Sequence, residues 1–306
     1  MLQLWVEIHR MRGRIAISVL IGLLAGWSTL FLMNKFHQGA GDFGWAIHLA
    51  QRFLAGQNPY DTPYEQYPFT AALFAMPFIH VRPEIAAAIF SGLSSFLLAL
   101  GLTRHGYHRL WIFLAYPYWV GLLAAQWSVV ITASAFFPIM MPVTMAKPQV
   151  GLPVFLTRLS RRGVLACLAV ALLSIGLFPR WPWLWLGQIG YYHHFFAILI
   201  LPGPLVVLAL LRYRDRDAWL LFLSSLMPQR WFFDSFILWL IPKSRREIVW
   251  TVALSWCAGL WRAYHPPASL NQVGLWIVLS TYLPMLAIVL LRSPHEILHS
   301  KPAGSA

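Results

Sequence analysis

The sequence predicts an all-α integral membrane protein, a polytopic helical bundle of about 12 transmembrane segments forming one domain over residues 1–306. Three observations predict it. Hydrophobic residues make up 59% of the chain and charged residues only 11%, against about 25% charged in ordinary globular proteins, which leaves too little polar surface to cover a water-soluble core. Apolar runs recur along the whole length. Finally, 23 Lys and Arg against 10 Asp and Glu give a net charge of +13, and the basic residues fall in short clusters between the apolar runs. That is the pattern of cytoplasmic loops facing anionic headgroups rather than of a nucleic-acid-binding surface.

The segments follow in order. Residues 15–33 and 85–103 are charge-free runs about as long as one helical crossing. Residues 110–146 carry no charge for 37 residues, enough for two crossings joined by a tight turn near Gln126. Further runs lie at 149–160, 163–178, 195–211, 218–227, 231–241, 248–261 and 273–291, and a short one at 69–79. Residues 1–14 lead straight into the first run with no small-residue cleavage site, so no cleaved leader is expected. Residues 301–306 are expected to fray.

With the N-terminal arginines (Arg10, Arg12, Arg14) placed in the cytoplasm, alternation puts Arg161–Arg162, residues 212–217, residues 243–246 and the C-terminal cluster from Arg292 inside as well. Arg104 and Arg109 fall outside, against the rule. Both termini are therefore expected in the cytoplasm of a multi-pass cell-membrane protein. The same alternation collects an outer set: the loop 34–67, the turn at 146–148, residues 179–194, the turn at 228–230, and 263–272.

Residues 34–67 form the one long polar segment outside, with three of the ten carboxylates, Asp42, Asp61 and Glu65. Gly39, Gly41 and Gly44 surround Asp42 and allow sharp turns and close approach of a ligand. From Trp45 onward, Ile47, Ala50 and Leu54 recur at helical spacing, and Gly56 then Asn58–Pro59 end the helix, giving a short amphipathic helix on the membrane surface. A carboxylate at the membrane edge just before a helix is placed for partial desolvation, which suits proton abstraction. Asp61, between Tyr60 and Thr62–Pro63, reads first as a turn former. Asp61 and Glu65 straddle Pro63, which argues against one shared helical face, and no metal or other cofactor is expected. Trp181, Trp183 and Trp185 read as an interfacial belt, and Cys167 and Cys257 as buried thiols.

An Asp opening the first outer loop, then LAGQNPYD (54–61), then YPFTAALFAMPF (67–78) resembles the polyprenyl-phosphate-sugar-dependent glycosyltransferases of the GT-C class, specifically the mannosyltransferase-like family 87. Weaker matches follow in order: Gln126, with Ala125 where that family has Gly, then Lys147–Pro148, then SLMPQRWFFDSFILWLIP (225–242). The resemblance implies inverting transfer of a hexose such as mannose from a polyprenyl phosphate to the hydroxyl of a glycan or glycolipid acceptor, at the extracytoplasmic face.

Such a transfer needs one carboxylate to take the acceptor proton, cations for the departing phosphate, and a groove for the lipid tail. Asp42 is the candidate base. Arg230, in a Pro turn between apolar runs, leads the phosphate-binding candidates, followed by Lys147, His194 and His193. Arg230 and Lys147 have the alternative of interfacial anchoring, and the histidines that of simple interface residues. Tyr60, Tyr67, Gln126 and Asp61 complete the substrate-binding set. Asp234, one turn after Arg230, is expected to pair with it. The alternatives are a lipid or solute transporter, or a non-catalytic relative.

Overall fold

The computed structural model describes residues 2–61, 65–267 and 269–292, so the expected fraying of 301–306 lies outside the described residues. Among the described residues the chain folds as an all-helical assembly with a single two-residue strand pairing. Its helices are α1 (Leu2–Phe36), α2 (Gly41–Leu54), α3 (Phe69–Ala75), α4 (Pro83–Leu102), α5 (Tyr116–Leu123), α6 (Ser128–Ser134), α7 (Pro148–Thr157), α8 (Arg161–Leu177) and α9 (Trp181–Gln188). After strand β1 (Phe195–Phe196) come α10 (Arg216–Ser225), strand β2 (Pro228–Gln229), α11 (Arg245–Tyr264), α12 (Leu270–Ile277) and α13 (Leu283–Leu291).

Helices long and apolar enough to cross a membrane number three among the described residues: Met11–Phe36, Pro83–Leu102 and Leu270–Leu291. The third is continuous through a π turn at Val278–Tyr282. A fourth arises if α8 and the segment Trp181–Tyr191, bent by 95° between them, count as one span. This corrects the expectation of about 12. Hydropathy registers apolar composition, whereas a helix also needs an unbroken run of backbone N–H donors. Several expected spans are interrupted. Residues 138–146 run as 3₁₀ turns with Pro138 and Pro142 inside, α7 carries Pro148 and Pro153, and Pro204 opens the 3₁₀ stretch Gly203–Arg212. Non-helical backbone is tolerated at membrane depth where other protein buries it.

Helices α1 and α4 make the most extensive pairing in the fold. They run antiparallel, with Gly22 against the backbone of Gly92 and Gly26 against that of Ala88. Arg14, near the start of α1, reaches the end of α4, donating to the Leu100 carbonyl at 3.3 Å and to Thr103 Oγ1 at 3.4 Å. The chain therefore returns from α1 through α4 without a crossing at Phe69–Phe78, which is only a short apolar helix. That corrects the placement of Arg104 and Arg109: they share an end of the bundle with Arg14. His108 Nε2, 2.8 Å from the Lys243 carbonyl, joins the 243–246 cluster to the same end. There Asp217 binds Lys243 at 2.8 Å, Arg158 at 3.1 Å and Arg292 at 2.6 Å.

The amphipathic helix of the first loop is present and starts earlier than expected. It buries Phe43, Ala46, Ile47, Leu49 and Ala50, while Leu54 is exposed. Gly56, at φ +71°, follows its last turn as the spacing predicts. Trp183 faces outward, but Trp181 is buried and Trp185 donates its indole N–H to the Gln66 carbonyl, so the three do not form one belt. Cys167 is buried and Cys257 is exposed, which corrects the second of the two expected core thiols.

Candidate functional site

The site begins with two aromatic anchors. Phe43 and Trp127 are both fully buried, and both pack on Phe90 of α4, with ring centroids 4.1 Å and 5.0 Å away. Each is preceded by a polar residue that its anchoring holds in place: Asp42 before Phe43, Gln126 before Trp127. The two chains are joined directly, since the Asp42 N–H donates to the Ala124 carbonyl at 2.8 Å. Gly41 makes the approach possible. A Cβ there would stand 2.5 Å from the Ala124 oxygen, and its φ of +56° lies where glycine is favoured. On the other side Ala125 adopts φ +45°, a left-handed conformation carried by a residue with a side chain.

Around this junction the polar groups form one network. Asp42 Oδ2 accepts from the Tyr67 hydroxyl at 3.1 Å and from Gln126 Nε2. Lys147 sits at the break between the 3₁₀ turns of 138–146 and α7, and its ammonium donates to Gln126 Oε1 at 2.7 Å. The same ammonium lies 2.8 Å from Asp234 Oδ1, 3.9 Å from Asp42 Oδ2, and 4.8 Å from the centre of the Phe233 ring. The Lys147 side chain is 4% exposed, that of Asp234 0% and that of Asp42 23%. Lys147 and Asp234 are thus a buried ion pair, and Asp42 is the member of the network that reaches solvent.

Asp42, Tyr67, Lys147 and Arg230 line a cavity of about 300 Å³ together with Trp45, Gln66, Gln149, Tyr191, Tyr192 and His193. Four of the five segments expected outside meet here; 263–272 supplies no lining residue among those described. Burial, then the nearby Asp42, pushes the Tyr67 hydroxyl well above its ordinary pKa. Burial and Asp234 raise that of Tyr192 likewise. Both phenols therefore remain protonated hydrogen-bond donors at neutral pH. Beside the cavity, sharing Pro68 with it, runs an apolar groove of about 370 Å³ between the 144–155 region and α8–α9, lined by Thr144, Leu152, Phe155, Leu168, Trp181 and Trp185 among others.

The other candidates are placed differently. Tyr60 is buried and donates its hydroxyl to the Tyr67 carbonyl at 3.1 Å, supporting the cavity wall rather than lining it. Asp61 accepts from Asn58 Nδ2 within its own turn. Glu65 turns to His48, 3.1 Å away. His194 stacks on Tyr192 with its Nδ1 toward the Tyr192 carbonyl, outside the cavity lining, whereas His193 is in it. Asp234 does not take the Arg230 guanidinium. It accepts from the Arg230 backbone N–H at 2.9 Å and gives its other oxygen to Lys147, which corrects the expected pairing and leaves the exposed Arg230 side chain to the cavity.

Asp234 is the site residue the sequence reading misassigned, and Tyr192 and Gln149, which meet at 3.3 Å, are ones it omitted. A lone carboxylate in the apolar run 231–241 was itself the signal for Asp234, because a charge there demands a partner. The chain matches no family model, no curated protein and no solved structure, so the site is defined by its own geometry.

Proposed function

We propose that this is a membrane glycosyltransferase that moves a hexose from a polyprenyl-phosphate donor to an acceptor hydroxyl by single displacement, with inversion. The observation that carries the reading is one cavity holding a partly exposed carboxylate, Asp42, and cations, Lys147 and Arg230, next to an apolar groove. The acceptor oxygen attacks the anomeric carbon while Asp42 takes its proton. The carbon–oxygen bond to phosphate breaks, and the electron pair leaves with the polyprenyl phosphate. Arg230, Lys147 and His193 are the groups in reach of that developing charge. The tail of the donor would lie along the groove past Pro68. Tyr67 and Gln126 hold the base in place by donating to the Oδ2 atom, leaving Oδ1 for the acceptor.

Charge supports one orientation. Gathering of Arg14, Arg104, Arg109, Arg158, Lys243 and Arg292 at one end favours that end as cytoplasmic and the cavity as extracytoplasmic. The test is Asp42→Asn in a membrane assay with polyprenyl-phosphate hexose. The isosteric amide is expected to abolish transfer while the protein still accumulates and folds. Transfer by the Asn variant at the wild-type rate would remove the base assignment and with it the mechanism.

A further inference from the structure

Among the described residues, the basic end of the bundle has a charge imbalance that its acids do not resolve. Three carboxylates among the described residues face it, and all are engaged: Arg292 lies 2.6 Å from Asp217, 3.6 Å from Asp215 and 3.8 Å from Glu247, and Asp217 also holds Lys243 and Arg158. Arg109 is left over. Its side chain belongs to a residue only 7% exposed, and no hydrogen bond or ion pair reaches its guanidinium among the described residues. The Arg158 Nε is likewise buried without an acceptor.

More guanidiniums stand close by. Arg14 is tied to the Leu100 carbonyl and Thr103, and Arg104 to the Phe136 carbonyl and the face of Phe137. Burial, then the nearby Arg109, Arg104, Arg158 and Arg14, hold the His105 imidazole below its ordinary pKa. Asp217 and Glu247 act on Arg109 only from beyond ion-pair distance; a buried guanidinium so weakly compensated is costly, and its fork of donors matches the oxygens of a phosphate. An apolar crevice of about 510 Å³ at the same end, between Leu156, Leu159, Trp219 and Leu223 with Arg216 on its wall, offers hydrocarbon a place beside the charges.

We propose that Arg109, with Arg104 and Arg158, binds the phosphate of an anionic phospholipid headgroup at the basic end of the bundle. The lipid completes a charge cluster that the described residues leave short of acceptors.

The test compares the purified full chain with Arg109→Gln and Arg104→Gln in nonionic micelles containing either dioleoyl phosphatidylcholine or dioleoyl phosphatidylglycerol. Thermal unfolding and lipid retention by native mass spectrometry are the two readouts. In phosphatidylcholine, Arg109→Gln is expected to unfold at a higher temperature than the wild type, because a buried unpaired charge has been removed. In phosphatidylglycerol the order is expected to reverse. Retention of phosphatidylglycerol should fall at least about tenfold in Arg109→Gln, as loss of one charge-assisted contact implies. Arg104→Gln, at an exposed position whose side-chain contacts are the Phe136 carbonyl and the Phe137 ring, should lose retention severalfold. Equal retention by all three proteins would overturn the proposal, as would Arg109→Gln lowering the midpoint by the same margin in both lipids. A shift from inorganic phosphate alone as large as that from phosphatidylglycerol would overturn the lipid assignment.

Discussion

Lys147→Met tests the hub of the candidate site. Methionine keeps the length of the side chain and removes the ammonium that lies 2.8 Å from Asp234 and 3.9 Å from Asp42. At an effective dielectric of about 20 these separations correspond to roughly 6 and 4 kcal/mol of attraction before desolvation is subtracted. Burying the three groups consumes part of that, so the net loss on removing the cation is expected at about 3–5 kcal/mol, the range for a broken buried pair. The two partners of the pair are not equivalent. Lys147→Met strands Asp234, whose side chain is 0% exposed, beside a second carboxylate. Asp234→Asn leaves Lys147 with Asp42 and is expected to cost less.

The double variant should be more stable than Lys147→Met alone, since it removes the stranded anion. The assay is a double-mutant cycle by reversible unfolding in mixed micelles, with far-UV circular dichroism as the signal. Additive effects of the two substitutions, or a near-neutral Lys147→Met, would refute the ion-pair reasoning.

Gly41→Ala should destabilise by more than about 2 kcal/mol, because it adds a Cβ 2.5 Å from the Ala124 oxygen at a positive φ; unfolding midpoints measure it. Ala125→Gly relieves the left-handed strain but loses a buried methyl, so it should fall within about 1 kcal/mol of wild type, while Ala125→Val should cost clearly more. At Asp217, burial alone would raise the pKa, but Lys243, Arg158 and Arg292 outweigh it and hold the carboxyl below its ordinary 3.8. A folded pKa lowered in this way gives stability that is complete above the unfolded value and is lost as pH falls through the folded one. An acid titration followed by tryptophan fluorescence should therefore show the basic end intact at pH 5 and opening below pH 3.8, and Asp217→Asn should remove that step.

Much of the site was legible because it rests on local chemistry. A carboxylate between glycines before a helix, a glycine after the last turn, and lysine before proline each carry a backbone reason that a single chain displays. The span count was not legible. Residues 69–79 and 85–103 look alike by composition, and only the pairing of Arg14 with the end of α4 reveals that the first does not cross. That one extra crossing inverted the parity for Arg104 and Arg109. Asp234 was visible as an anomaly, but its partner lies 87 residues earlier in the chain, at Lys147, and no local spacing connects the two. Sequence proximity pointed to Arg230 instead, whose contact with Asp234 is through its backbone N–H alone.

The strand pairing of Phe195–Phe196 with Pro228–Gln229 makes the cavity asymmetric in stiffness. Peptide hydrogen bonds stitch the segment that carries Tyr192 and His193 to the one that carries Arg230, and Gln229 adds a bond to Tyr282 of the last membrane helix. On the far side Pro68 parts the polar chamber from the apolar trough, and there side chains do the tying: Gln66 donates to the Tyr191 carbonyl and accepts from the Trp185 indole on its own carbonyl, and Thr70 donates to the Met145 carbonyl.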